Sequence, residues 1–273
     1  MIVPAGESPV MPRLWMLVIF LLACPAFAAE PISPTKPIKP LEAKDLNGFE
    51  TWLKETQRDD PHGVFKLEDG VLHISGDDRG YAATKDAYKD YHLTVEYKWG
   101  EHRSDKSKFV RNSGVLLHGT GDHGSAGSWM TSLEVQLAQG CEGDLIVIAG
   151  QVDGKKYPAT ITCDTRLESD KRTRWDPKGT KTVYSGKQFW WSKHDPAYEE
   201  LLDTRGRWDI ASKLGEWTKV ECICSGDRVT IKINGETVNE AYDVKPSSGR
   251  ILLQNEGYEV YFRNMVIAPL PEK

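Results

Sequence analysis

Apolar and polar positions alternate with a period of two along most of the chain. In "YHLTVEYKWG" (Tyr91 to Gly100), Leu93, Val95, Tyr97 and Trp99 fall on one face, and His92, Thr94, Glu96 and Lys98 on the other. That is the pattern of a half-buried strand. Further strands are predicted over "GVLHISG" (Gly70 to Gly76), "NSGVLLHG" (Asn112 to Gly119), "SLEVQL" (Ser132 to Leu137) and "DLIVIAG" (Asp144 to Gly150). "WTKVECICSGDRVTIKINGETVNEAY" (Trp217 to Tyr242) reads as two strands joined by a Ser-Gly-Asp turn, then a third after Asn234-Gly235, a strong hairpin signal. "GRILLQNEG" and "VYFRNMVIAPL" close the series. Many short strands at close spacing predict an all-β sandwich or barrel.

Two stretches break this rhythm. Pro31, Pro34, Pro37 and Pro40 recur at every third position, which predicts an extended spacer over residues 29–44. Residues 164–215 are polar, yet carry Trp190, Trp191 and Trp208, which argue for an ordered excursion over one end or face of the sandwich. Within them "PAYEELLD" (Pro196 to Asp203) reads as a short helix capped by Asp195.

Ahead of the spacer, "LWMLVIFLLA" (Leu14 to Ala23) follows Arg13 and precedes Pro25 and "AFA". This is the layout of a secretory signal peptide cleaved after Ala28, so the protein is expected in the periplasm or outside the cell. The run is too short to span a bilayer, which needs ~20 apolar residues. "LLAC" resembles a lipoprotein signal acylated at Cys24, but Pro25 argues against it. Removal of residues 1–28 leaves about 245 residues, commonly one domain for an all-β chain. The domain is placed at residues 45–270.

Charge and cysteines narrow the partners. The formal net charge is -5, with no basic footprint for nucleic acid. In an oxidising compartment Cys141 and Cys163 could bridge, whereas Cys222 and Cys224 share a strand face and are poorly placed to bond each other. No CxxC or HxxxH spacing marks a metal site.

Several predicted strands carry chemistry on their polar face. Glu134 and Gln136 share one, Gln254 and Glu256 another, and Asn112 and His118 lie on one parity of "NSGVLLH". Arg263 lies in the last strand. Sheets bearing Gln, Asn, Glu and aromatic groups suit sugars, whose hydroxyls need many oriented donors and acceptors. Taken alone, each residue also reads as part of a solvated face or, for His118, as a structural histidine. GxSxG, P-loop and HExxH motifs are absent. His118 and Glu134 are both competent ligands for a divalent cation, but no spacing demands one, and no cofactor is expected.

"DYHLTVEYKW", "NSGVLLH", "LEVQL", Gly143-Asp144, "GEWTKVEC", "INGETVN", "GRILLQNEG" and "VYFRNMVIAPL" occur in this order. Together they resemble the 3-keto-disaccharide hydrolase domain family over about residues 45 to 270. The resemblance implies a concanavalin A-like jelly roll and cleavage of glycosides already oxidised to a ketone at C3. Such a ketone acidifies the hydrogen at C2. A base removes it, the C1–oxygen bond breaks by elimination, and water adds back. The resemblance implies catalytic roles for Glu134, His118 and Gln136, and sugar-positioning roles for Asn112, Asp144, Gln254, Glu256 and Arg263. Many members carry Arg where this chain has His118, and His near Glu256, so the "LQNEG" and "GD" motifs mark a separate branch. Two other readings compete: a non-catalytic carbohydrate-binding sandwich, and a hydrolase of unoxidised glycans using Glu134 and Glu256 as its carboxylate pair.

Overall fold

The computed structural model describes Met1 and residues 29–104, 109–185 and 188–272. Apart from Met1, the expected export segment lies outside them. Nineteen strands are described: β1 (Phe49–Leu53), β2 (Phe65–Glu68), β3 (Val71–Ile74), β4 (Arg79–Thr84), β5 (Tyr91–Arg103), β6 (Gly114–Thr120), β7 (Thr131–Gln136), β8 (Leu145–Ile148), β9 (Gly150–Val152), β10 (Lys155–Tyr157), β11 (Thr160–Leu167), β12 (Thr173–Trp175), β13 (Thr180–Tyr184), β14 (Gln188–Phe189), β15 (Thr218–Ser225), β16 (Arg228–Ile233), β17 (Glu236–Lys245), β18 (Arg250–Glu256) and β19 (Tyr258–Pro269). The fold is an all-β sandwich of two antiparallel sheets.

One sheet runs β1-β4-β18-β6-β7-β8-β14. The other runs β12-β11-β17-β16-β15-β5-β19-β3-β2, with β13 also pairing β11. The alternation read from the sequence decides which side chains meet between them. Leu93, Val95, Val220, Cys222, Ile231 and Phe262 of the larger sheet face Val115, Leu117, Leu133, Val135, Ile251 and Leu253 of the smaller, all at most 3% exposed. Burying each large apolar side chain contributes about 1.5–3 kcal/mol. The opposite parity of the smaller sheet is its outer face, where Tyr81, Ala83, Leu116, Met130 and Leu252 form a second cluster.

Local chemistry sets the corners. Asn234 (φ 48°) and Gly235 (φ 86°) turn β16 into β17, both in the left-handed region that a two-residue hairpin requires. At Gly80 a Cβ would fall 1.9 Å from the Trp52 carbonyl oxygen, so only glycine lets β1 lie against β4.

The proline-rich stretch is not a free spacer. Ile32 N–H donates to the Ala87 carbonyl (2.8 Å), Ile38 and Ile267 exchange backbone bonds (2.9 and 2.8 Å), and Leu41 is 1% exposed. Pro34 and Leu41 are buried, Ile38 packs half-buried against the core, and Pro40–Glu42 form one turn of 3-10 helix, while the Ile32 side chain stays 38% exposed.

The excursion is ordered among its described residues and joins both sheets. β11, β12 and β13 extend the larger sheet, while β14 pairs with β8 of the smaller. The helix predicted at Pro196–Asp203 does not form. Asp195 Oδ1 does accept from Ala197 N–H (2.9 Å), but Tyr198 is drawn off to donate to the Gln139 carbonyl (2.5 Å). So short a helix has little stability of its own, and tertiary contacts override it. All four described cysteines are buried free thiols, so the bridge expected between Cys141 and Cys163 is absent.

Candidate functional site

The outer face of the smaller sheet gathers most of the polar residues singled out from the sequence. Pairing fixes the parity: Gly114 opposes Gln136 and Leu116 opposes Glu134 across β6 and β7. Leu252 pairs with Leu116, and Gln254 with Tyr81. Glu134, Gln136, Gln254 and Glu256 therefore project on one side, three strands wide.

Gly114 sits between β18 and β7 and brings two of these groups together. A Cβ there would lie 2.8 Å from Glu134 Oε1 and 3.1 Å from Gln254 Oε1. Without it, Glu134 and Gln254 lean over the glycine from both flanking strands. Asn112, two residues earlier, donates from Nδ2 to Glu256 Oε2 at 2.9 Å.

Four buried side-chain atoms in this group have no hydrogen-bond partner among the described residues: Asn112 Oδ1, Glu134 Oε1, Gln254 Nε2 and Gln254 Oε1. Buried polar atoms are nearly always paired, and each orphan carries a cost of about 1–3 kcal/mol. Several orphans in one place mark a polar pocket that water or a polar ligand can satisfy.

The electrostatics match. Burial, and then the charge of Glu256, push the Glu134 carboxyl well above its ordinary value. The nearby Gln254 amide offsets part of that rise, although its geometry falls short of a hydrogen bond. Burial raises Glu256 to about 7, against the opposing charge of Arg79. Two carboxyls in one dry place disfavour double ionisation, so one keeps a proton that an exposed carboxyl would lose. One group can then serve as acid while the other serves as base.

Gln136 has a structural duty. Its Oε1 accepts the Leu137 and Ala138 N–H groups, both at 2.9 Å, and shapes the turn after β7. Three expected residues lie elsewhere. His118 shares the sequence parity of Asn112 and Gly114, but it takes φ 58° and the register shifts between Leu117 and Thr120. This bulge carries its ring inward, edge-on to the core Tyr91, with Nδ1 3.0 Å from the Pro246 carbonyl. Burial lowers its pKa to about 4, so it is a neutral core histidine. Arg263 lies in the larger sheet, where Nε donates to Glu96 Oε2 (2.7 Å) and the guanidinium stacks on Trp217 at 4.0 Å. It makes no pair with Glu256. Asp144, fully buried in the turn before β8, accepts the Trp191 N–H at 2.6 Å and anchors the excursion. The cation ligation considered for His118 with Glu134 loses its geometry, because the histidine faces the core.

A second polar set lies further along the same face. Tyr81 OH is 2.8 Å from His123 Nδ1, His123 Nε2 is 2.9 Å from Glu50 Oε2, and Arg250 binds the same Glu50 oxygen. The His123 ring stacks between Trp52 and Tyr81, at centroid distances of 5.2 and 5.7 Å. Burial works to raise Glu50, but the hydrogen bonds from His123 and Arg250 and the charges of Arg250 and Arg58 outweigh it and hold Glu50 at about 2. Glu50, Trp52, Arg58, His123, Met130 and Arg250 line a cavity of about 750 Å³. It does not include Glu134, but Tyr81 connects the two, pairing with Trp52 on one side and Gln254 on the other. Two of these residues were legible: Arg250 shares the parity of Gln254 and Glu256, and Glu50 shares that of Trp52. His123 sits in a loop, where no periodicity points to it.

The model of the 3-keto-alpha-glucoside-1,2-lyase-like domain matches residues 36–268. No curated protein matches the chain. Among solved structures, a candidate glycosyl hydrolase from Parabacteroides distasonis is 17% identical, with a TM-score of 0.48 covering 86% of this chain and 94% of its own. The carbohydrate-binding module CBM66 from Bacillus subtilis is 10% identical, with a TM-score of 0.46 covering 81% and 95%. A beta-glucanase from Bacillus licheniformis is 7% identical, with a TM-score of 0.36 covering 77% and 84%.

Proposed function

For a chain that belongs to the 3-keto-alpha-glucoside-1,2-lyase-like family, we propose that the Glu134 face cleaves 3-keto glycosides by elimination and hydration, in an exported protein. The cluster of orphaned polar atoms around the buried Glu134 carboxyl and the half-buried Glu256 carboxyl supports this reading above all.

Elimination from a 3-keto sugar needs a base at the C2 hydrogen, a donor at the C3 oxygen as it gains enolate charge, and an acid at the departing C1 oxygen. The pair shares one proton, and in the form that reacts that proton sits on Glu256, which leaves Glu134 ionised as the base. Its raised pKa makes it a stronger base than an exposed carboxylate. Gln254 Nε2, buried and unpartnered, donates to the enolate oxygen. Glu256, held by Asn112, gives its proton to the leaving oxygen as the C1–O bond breaks. The products are the released alcohol and a 1,2-unsaturated 3-keto sugar. Water then adds across that double bond, its hydroxyl to C1 and its proton to C2, and yields the free 3-keto sugar. The aromatic cavity beside His123 would hold the sugar on the far side of the scissile bond, with Trp52 against its apolar side.

The test replaces Glu134 with Gln and follows release of the alcohol from a 3-keto-glucoside. Loss of general base catalysis is worth about 10²–10⁴-fold in kcat, with the circular dichroism spectrum retained. Full activity in that variant would remove Glu134 from the mechanism. Wild-type cleavage of unoxidised disaccharides alone would instead favour an ordinary two-carboxylate glycosidase.

A further inference from the structure

The excursion and the sandwich meet at a buried cluster that belongs to neither polar set described above. Cys141 and Asp144 come from the turn between β7 and β8, and His194 from the excursion after β14. Their exposures are 3%, 0% and 1%. Cys141 Sγ, a carboxylate oxygen of Asp144 and a ring nitrogen of His194 all lie within 4.8 Å of one another. We propose that these three residues bind a zinc-class transition-metal ion that fastens the excursion to the sandwich.

Three features support this. Thiolate, imidazole and carboxylate together are a donor set suited to zinc. The Cys141 Sγ to His194 Nε2 distance is 3.6 Å. With metal–sulfur and metal–nitrogen bonds of about 2.3 and 2.0–2.1 Å, the sulfur–nitrogen edge of a tetrahedron is about 3.6 Å.

The surrounding bonds also aim the ligands. His194 Nδ1 lies 3.2 Å from the Asp195 carbonyl, the usual outer contact of a metal-binding histidine. A proton on Nδ1 leaves the Nε2 lone pair directed at Cys141. Arg174, itself 1% exposed, donates from Nε to the His194 carbonyl (3.0 Å) and from both terminal nitrogens to Asp170 (2.9 and 2.7 Å). It holds the histidine's backbone in place. Asp144 Oδ1 takes the Trp191 N–H, which fixes the orientation of its carboxylate. A water or the second carboxylate oxygen would complete four-coordination. Sequence spacing hides the set, because His194 lies 50 residues beyond Asp144 in the chain.

The full chain is purified without chelator, its metal content measured, and the metal exchanged for cobalt(II). One metal per chain is expected, with a thiolate-to-cobalt charge-transfer band in the near ultraviolet. Cys141→Ser should remove that band, whereas Cys163→Ser, at another buried thiol, should keep it. Chelation of the wild type should lower its Tm and speed proteolysis within residues 190–215. The alternative is a metal-free S–H···N contact between Cys141 and His194. Failure to retain metal after dialysis, absence of the cobalt band, or a band that survives Cys141→Ser would each overturn the proposal. His194→Gln, which preserves volume, provides a second variant should Cys141→Ser fold poorly, and it too should abolish the band.

Discussion

Replacing Glu256 with Gln should make the protein more stable and less active, and the gain should depend on pH. In the folded protein burial holds the Glu256 carboxyl at about 7, against an ordinary 4.5. A group whose pKa rises on folding binds its proton more tightly in the folded state. Below the unfolded value both states are protonated and the cost is nil. As the pH climbs from 4.5 towards 7 the unfolded chain ionises first, and stability falls. Once both values are passed, the cost is about 3 kcal/mol, at about 1.4 kcal/mol for each tenfold change in affinity for the proton. The amide that replaces the carboxyl never ionises, and its oxygen can still accept the Asn112 Nδ2 bond. For a domain of this size each kcal/mol moves Tm by about 2–4 °C. The variant should therefore melt some ~6–12 °C above the wild type at about pH 8, and within a degree or two of it at about pH 4. Thermal melts by circular dichroism across that range, together with turnover of a 3-keto-glucoside, provide the measurement. Equal melting temperatures at the higher pH would refute the reasoning, as would a loss of stability at both ends. The first would mean that the carboxyl is solvated or balanced by a cation, the second that the amide loses contacts the carboxyl makes.

Gly114→Ala should lower stability by about 1–3 kcal/mol, as overpacking does, and abolish turnover. The added methyl meets side chains only, Glu134 at Oε1 (2.8 Å) and Cγ (3.0 Å) and Gln254 at Oε1 (3.1 Å), so both buried side chains must shift and lose their alignment. A larger fall in stability in urea unfolding, or retained kcat, would contradict this. Arg263→Ala should leave kcat and KM as they are, because its partners are Glu96 of β5 and Trp217 just before β15, away from the Glu134 face. Its cost in denaturant unfolding should be about 1 kcal/mol or less, as for other half-exposed ion pairs. A specific loss of turnover would place Arg263 at the site after all.

Strand parity carried most of what was legible. The alternation in "SLEVQL" and "LLQNEG" puts Glu134, Gln136, Gln254 and Glu256 on one face because a regular strand repeats every two residues, and these strands are regular. The same rule misplaces His118. One residue in the left-handed region adds a bulge, and everything after it in β6 changes sides. No period shows where such a residue falls. Arg263 failed for another reason. Parity ranks residues within a strand but does not reveal to which sheet the strand belongs, and β19 is separated from β18 by only Gly257. His123 and His194 lie in loops and meet partners far away along the chain, which leaves no local trace. The helix expected at residues 196–203 had its cap, but its apolar residues had better partners outside the segment.

The two-residue strand β14 has a consequence for the molecule's behaviour in a crowd. β8, with sequence "LIVI", would otherwise end the smaller sheet with a row of open backbone donors and acceptors. An apolar border of that kind invites pairing with another chain. By laying Gln188–Phe189 along Ile146 and Leu145, the excursion covers half of that border, and what is left is too short to template a neighbour. The long polar detour between the two halves of the sandwich thus keeps one copy of the protein from adding its sheet to the next.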